Sequence, residues 1–130
     1  MLPRLLATDA DPYMRQIYHQ YFPNFGFEIA TASDGVDCLS AMREFHPDAL
    51  VLDLELLWGG AEGVLADLRE NSQAPPIPVV LTTRWLRSGH PEKHVVPPVV
   101  KLLEKPFRLR DLRSVVEAVL AVTSQLPASL

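Results

Sequence analysis

Residues 48–54 read Asp48-Ala49-Leu50-Val51-Leu52-Asp53-Leu54, an unbroken apolar run closed by an aspartate. Consecutive apolar residues without alternation suit a strand covered on both faces, as in a parallel sheet, rather than one with a wet side. Working outward, a second short apolar run, Arg4 to Thr8, ends at Asp9, and Val79-Val80-Leu81 ends at Thr82. Phe27 to Ala32 alternates as a further strand, and Val99 to Leu103 makes the fifth, followed at once by Glu104-Lys105.

Helix-period segments separate these runs. Met14, Ile17, Tyr18, Tyr21 and Phe22 recur on one helical face after Pro12, whose missing N–H costs nothing in a first turn. Ser33 is the expected N-cap of a second helix carrying Val36, Leu39, Met42 and Phe45 inward, and His46-Pro47 stops it. Gly63 to Glu70 is predicted as a third helix with Val64, Leu65 and Leu68 inward, after a Gly-containing loop. Lys105-Pro106-Phe107 opens the last, with Leu109, Leu112, Val115, Val116, Val119 and Leu120 inward. Pro75, Pro76 and Pro78 lead into the fourth strand. Between the fourth and fifth strands, Gly89, Pro91, Pro97 and Pro98 interrupt any period, so the helix there is expected to be short or irregular. Strands alternating with helices, without hairpin signals, predict an α/β fold: a doubly wound, five-stranded parallel sheet with helices on both faces.

Composition sets the outer bounds. The chain of 130 residues is 48% apolar and 22% charged, which excludes disorder and fits one domain, expected over 1–124 with a C-terminal tail at 125–130. A net charge of −4 argues against a general nucleic-acid binder. No apolar run approaches the ~20 residues of a membrane span, and no secretory signal follows Met1-Leu2-Pro3-Arg4, so no membrane partner and a cytoplasmic location are expected. A lone cysteine, Cys38, excludes an internal disulfide and a multi-cysteine zinc site, and reads as a small apolar helix residue.

In open parallel sheets the chemistry sits at the carboxyl ends of the strands. Asp9, Asp53, Thr82 and Lys105 all fall there, and Asp9 and Asp11 stand beside Asp53 if the first and third strands are neighbours. Two carboxylates at ~4 Å repel by about 4 kcal/mol at an effective dielectric near 20, so one is protonated or a cation joins them. Oxygen ligands favour Mg²⁺. A carboxylate nucleophile, a metal, a lysine and a hydroxyl together suit phosphoryl transfer to an aspartate.

At these residues the chain resembles the receiver domain of two-component response regulators, from about Arg4 to Val122. The matched features are Leu5-Leu6-Ala7-Thr8-Asp9 with Asp11-Pro12, the run Asp48 to Leu54, Pro78-Val79-Val80-Leu81-Thr82, and Lys105-Pro106-Phe107. The resemblance implies a flavodoxin-like strand order 2-1-3-4-5. It further implies that Asp53 accepts a phosphoryl group from a histidine kinase or phosphotransfer protein, that Thr82 bonds and Lys105 pairs with that group, and that the Lys105-Pro106 bond is cis. Asp9, Asp53 and Glu55, the last through its backbone carbonyl or its side chain, are then the Mg²⁺ ligands. The expected output is altered affinity for a downstream protein through the C-terminal third, where Arg84, Arg87, Lys93, Lys101, Arg108, Arg110 and Arg113 give a basic bias; homodimerisation stays open. No output domain is expected after Val122, and no turnover enzyme is expected.

Several positions depart from the family pattern. Ala10 stands where a direct acidic metal ligand is usual, which implies weak Mg²⁺ binding. The loop from Leu56 to Gly63 is longer than the norm and lacks its proline, and Leu102 replaces a common switching aromatic. An ion pair of Glu55 with Arg84 competes with metal ligation by Glu55. Trp58 and Trp85 are expected as loop anchors near the site. Two other functions fit parts of the pattern. One is a degenerate receiver acting as a protein-interaction module without phosphorylation. The other is a haloacid-dehalogenase-like phosphatase using Asp9 of Asp9-Ala10-Asp11, against which stand the missing acidic pair after Lys105 and the lack of any role for Asp53.

Overall fold

The computed structural model describes residues 1–58, 60–71, 77–88 and 90–124. The predicted tail at 125–130 and Gly59, Pro75, Pro76 and Gly89 lie outside the described residues. Strands β1 (Arg4–Thr8), β2 (Glu28–Ala32), β3 (Ala49–Asp53), β4 (Val79–Thr83) and β5 (Val99–Glu104) form one parallel sheet of order β2-β1-β3-β4-β5. Helices α1 (Pro12–Tyr21), α2 (Gly35–Phe45), α3 (Gly60–Glu70) and α4 (Leu109–Ser124) cover it. The strand order reverses around β1 and β3, and that switch point sets where a ligand crevice opens.

Strand alternation divides the core in two. Leu6, Leu50, Leu52 and Leu81 pack with Cys38 of α2 and Val64 and Leu65 of α3 on one face. Leu5, Ala7, Val51 and Val80 pack with Tyr18 of α1 and Leu112 and Val116 of α4 on the other. Both faces of β3 are thereby dry, as the unbroken run of residues 49–52 requires. Burial of Cys38 pushes its thiol up to about 12.

Local details correct several expectations. Asp34, not Ser33, is the N-cap of α2: its backbone is extended and its carboxylate accepts the Asp37 N–H at 2.8 Å. The Ser33 N–H is taken by the Asp37 carboxylate at 2.9 Å. Leu39, Met42 and Phe45 pack inward as expected, but Val36 is 62% exposed while Gly35 and Cys38 are buried. Ile17, expected inward, lies at the edge of the α1 face and is 38% exposed. Helix α3 begins at Gly60 rather than Gly63, and α4 begins at Leu109, beyond the Lys105-Pro106-Phe107 turn. The start of α2 meets the β3–α3 loop, where the Gly35 N–H donates to the Leu57 carbonyl at 3.1 Å and the Val36 N–H to the Trp58 carbonyl at 3.2 Å. A Cβ on Gly35 would stand 2.7 Å from the Gly60 nitrogen and 2.8 Å from the Trp58 oxygen.

Between β4 and β5 the described residues hold only a short 3-10 turn, Pro91–His94, in place of a regular helix. Both Pro97-Pro98 and Lys105-Pro106 are cis.

Candidate functional site

Asp9, Asp53, Thr82 and Lys105 each stand two residues beyond a side chain of the α1/α4 core layer: Ala7, Val51, Val80 and Leu103. A period of two carries all four onto the same face at the carboxyl edge of the sheet. Asp53 and Thr82 are register partners across β3 and β4. Lys105 Nζ donates to Asp9 Oδ2 and to Asp53 Oδ2, each at 2.9 Å.

The carboxylates are deeply set, the Asp53 side chain being 3% exposed. Asp53 Oδ1 accepts the Glu55 N–H at 3.1 Å, and the Asp53 N–H donates to Thr8 Oγ1 at 2.9 Å, just past the last β1–β3 register pair. Burial raises the Asp53 pKa, the Lys105 hydrogen bond opposing it. Burial also works against the Lys105 ammonium, yet its bonds to Asp53 and Asp9 prevail and its pKa is raised. The Lys105 ammonium is the cation that joins the two carboxylates here.

Not every expected residue arrives. Asp11 caps α1, accepting the Tyr13 N–H at 2.9 Å, while Asp9 Oδ1 accepts the Asp11 N–H at 2.9 Å. Asp11 is thereby engaged as a helix cap, which disfavours the Asp-x-Asp phosphatase arrangement. Glu55 is drawn to β4: its carboxylate accepts the Thr83 hydroxyl at 3.0 Å and the Arg84 backbone N–H at 2.9 Å. The expected ion pair with Arg84 is thus a bond to its main chain. Ala10 is exposed, and its carbonyl and that of Asp9 accept from Arg15 Nη1 at 3.0 and 2.8 Å. Trp58 is 74% exposed and anchors nothing by burial; Trp85 is exposed too, though its N–H donates to Thr83 Oγ1 at 3.0 Å.

Among the described residues no group of three or more His, Cys, Asp or Glu is arranged to hold a metal ion. The donor set that remains is two carboxylates converging on one cationic point. That fits a Mg²⁺ keeping most of its water, since this ion is held by as few as one or two carboxylates with a phosphate.

Thr82 Oγ1 is buried and has no hydrogen-bond partner among the described atoms. Buried hydroxyls are normally paired, and this one, on the register partner of Asp53, still has a proton to donate. Thr8, Thr83 and Tyr18 went unremarked as site residues. A hydroxyl at the end of an apolar strand (Thr8) and a polar tip on a core helix position (Tyr18) were the available signals.

Comparison with known proteins agrees with this fold. The response regulator receiver domain family matches residues 5–117. A protein-glutamate methylesterase/protein-glutamine glutaminase 1 of Anaeromyxobacter dehalogenans is 31% identical over 95% of this chain and 37% of its own length. The DNA-binding response regulator MtrA of Mycolicibacterium smegmatis is 29% identical over 100% of this chain and 56% of its own. The chain therefore spans about half the length, or less, of these curated relatives. The receiver domain of Francisella response regulator 1452 superposes with a TM-score of 0.83 at 21% identity, covering 93% of this chain and 98% of that one, which speaks for the fold. Receiver domains are signalling modules rather than turnover enzymes. With a family match over most of its length and the strand order that match implies, the chain belongs to the response regulator receiver domain family.

Proposed function

We propose that this receiver, one unit over residues 1–124, accepts a phosphoryl group on Asp53 from a phosphohistidine of a histidine kinase or phosphotransfer protein. The observation that carries the reading is the unpartnered, buried Thr82 hydroxyl beside the Asp53–Lys105 pair. An Asp53 carboxylate oxygen attacks phosphorus as the P–N bond breaks, and the bond pair leaves with the imidazole nitrogen, which water protonates. Lys105 turns from carboxylate to phosphoryl oxygen, and the Thr82 hydroxyl donates to another. Catalysis of this kind is positioning and charge neutralisation. Asp9, Asp53 and the Glu55 backbone carbonyl would hold Mg²⁺, which when bound neutralises phosphoryl charge; Ala10 makes that binding weak.

Output follows from a changed affinity for a protein partner on the C-terminal third. Arg84, Arg87, Lys93 and Lys101 are exposed there among the exposed Trp85, Val95, Val96 and Val100, a surface suited to an acidic, partly apolar partner. With no described helix long and apolar enough to cross a membrane, a cytoplasmic place alongside the kinase is part of this proposal. A second reading, partner binding without phosphorylation, is favoured by Ala10 and by the neutralisation Lys105 already provides.

Beryllofluoride, a mimic of aspartyl phosphate, separates the two. With Mg²⁺ it should bind wild type and not Asp53→Asn, as read by ¹⁹F NMR. A wild type indifferent to it at millimolar Mg²⁺ would favour the second reading.

A further inference from the structure

Tyr18 is an unusual residue to find under this site. It is fully buried in the layer of Leu5, Ala7, Val51, Val80, Leu112 and Val116, of which Ala7, Val51 and Val80 stand two residues before Asp9, Asp53 and Thr82, and its hydroxyl has no hydrogen-bond partner among the described atoms. Leucine or phenylalanine would fill the same space without stranding a polar group in the core. The ring is held in place, tilted against Phe22 with centroids 6.2 Å apart.

Its direction follows from the fold. Helix α1 starts at the carboxyl edge of the sheet, immediately after Asp9–Asp11, and side chains on a helix lean toward its N-terminus. The phenol therefore reaches up toward the carboxylates. After burial itself, the negative charges of Asp9 and then Asp53 raise the Tyr18 pKa, so both carboxylates act on this unpaired donor. Neither carboxylate accepts a bond from it directly, so a hydrogen-bonded link between them needs a bridging water.

We propose that Tyr18 is a positioning residue for Asp53, its hydroxyl donating through one buried water to the Asp9–Asp53 carboxylates and fixing the orientation in which Asp53 meets phosphorus. The positioning half rests on phosphorylation at Asp53; the hydrogen-bonded link does not.

The test uses the full chain with ¹³C at tyrosine Cζ, a label carried by Tyr13, Tyr18 and Tyr21 alone, and assigned with Tyr18→Phe. The Tyr18 signal should move in Asp9→Asn and Asp53→Asn, while those of Tyr13 and Tyr21 stay. Tyr18→Phe keeps the ring, so it should fold, should not gain melting temperature, and should be labelled by acetyl phosphate roughly fivefold or more slowly. A Tyr18 signal indifferent to both Asn variants, or a Tyr18→Phe chain that melts higher, would overturn the link. A signal that moves with labelling unchanged would overturn the positioning role. If wild type takes no label at all, the phosphoacceptor reading and the positioning role fall together, and the link is still decided by the resonance.

Discussion

Lys105 and Asp53, 52 residues apart in sequence, meet at 2.9 Å at the carboxyl edge of the sheet, and the same ammonium reaches Asp9 at 2.9 Å. One buried cation thus serves two buried carboxylates. Removing it leaves like charges facing each other in a dry setting. Lys105→Met should therefore cost about 3–5 kcal/mol in urea unfolding at neutral pH. Because burial already raises the Asp53 pKa, protonation relieves the variant first there, and its deficit should shrink as the pH falls.

The alkaline limb has the opposite sign. Folded Lys105 holds its proton beyond the ordinary lysine value of 10.5. The folded chain then binds a proton that the unfolded chain has lost. The stability from this pair is complete below that value and drains as the pH rises through the raised pKa. Melting temperatures taken upward from there should fall more steeply in wild type than in Lys105→Met.

Thr82→Val removes a hydroxyl that no described atom pairs with. In the unmodified chain it should be neutral or stabilising by up to about 1 kcal/mol, since no bond is lost. Beryllofluoride affinity, by contrast, should drop about tenfold, the loss of one hydrogen bond to a charged group. A variant that is destabilised yet binds beryllofluoride normally would remove Thr82 from the site.

Ala10→Asp supplies the acid that the site lacks. Mg²⁺ affinity should rise about tenfold or more, seen as a larger Mg²⁺-dependent gain in melting temperature than in wild type. Tryptophan fluorescence from Trp58 and Trp85 gives a second readout.

Gly35→Ala probes the seam between α2 and the loop that follows β3. Its Cβ would stand 2.7 Å from the Gly60 backbone nitrogen, so overpacking of about 1–3 kcal/mol is expected in urea unfolding.

The four central residues were legible because Asp9, Asp53 and Thr82 stand at the ends of strand-like runs and Lys105 two residues beyond Leu103, and a period of two then fixes the face onto which they project. Asp9, Asp53, Thr82 and Lys105 needed only the strand order to be brought together. What escaped depends on choices between neighbours or on tertiary partners. Ser33 and Asp34 are both good N-caps by residue type, and it is Asp34 whose extended backbone and carboxylate bond to the Asp37 N–H make the cap. Glu55 has an acid's reach toward a metal, but the Thr83 hydroxyl and the Arg84 N–H on the adjacent strand claim it. Tyr18 reads as core by periodicity, and nothing in the spacing reveals that its hydroxyl is left unpaired there.

The most direct measurement is mapping of the phosphorylated residue after incubation with acetyl phosphate and Mg²⁺, by borohydride reduction and mass spectrometry of the peptides. One phosphoryl group per chain, on Asp53 and absent from Asp53→Asn, is the expected result. Label on Asp9, or equal label in Asp53→Asn, would contradict it.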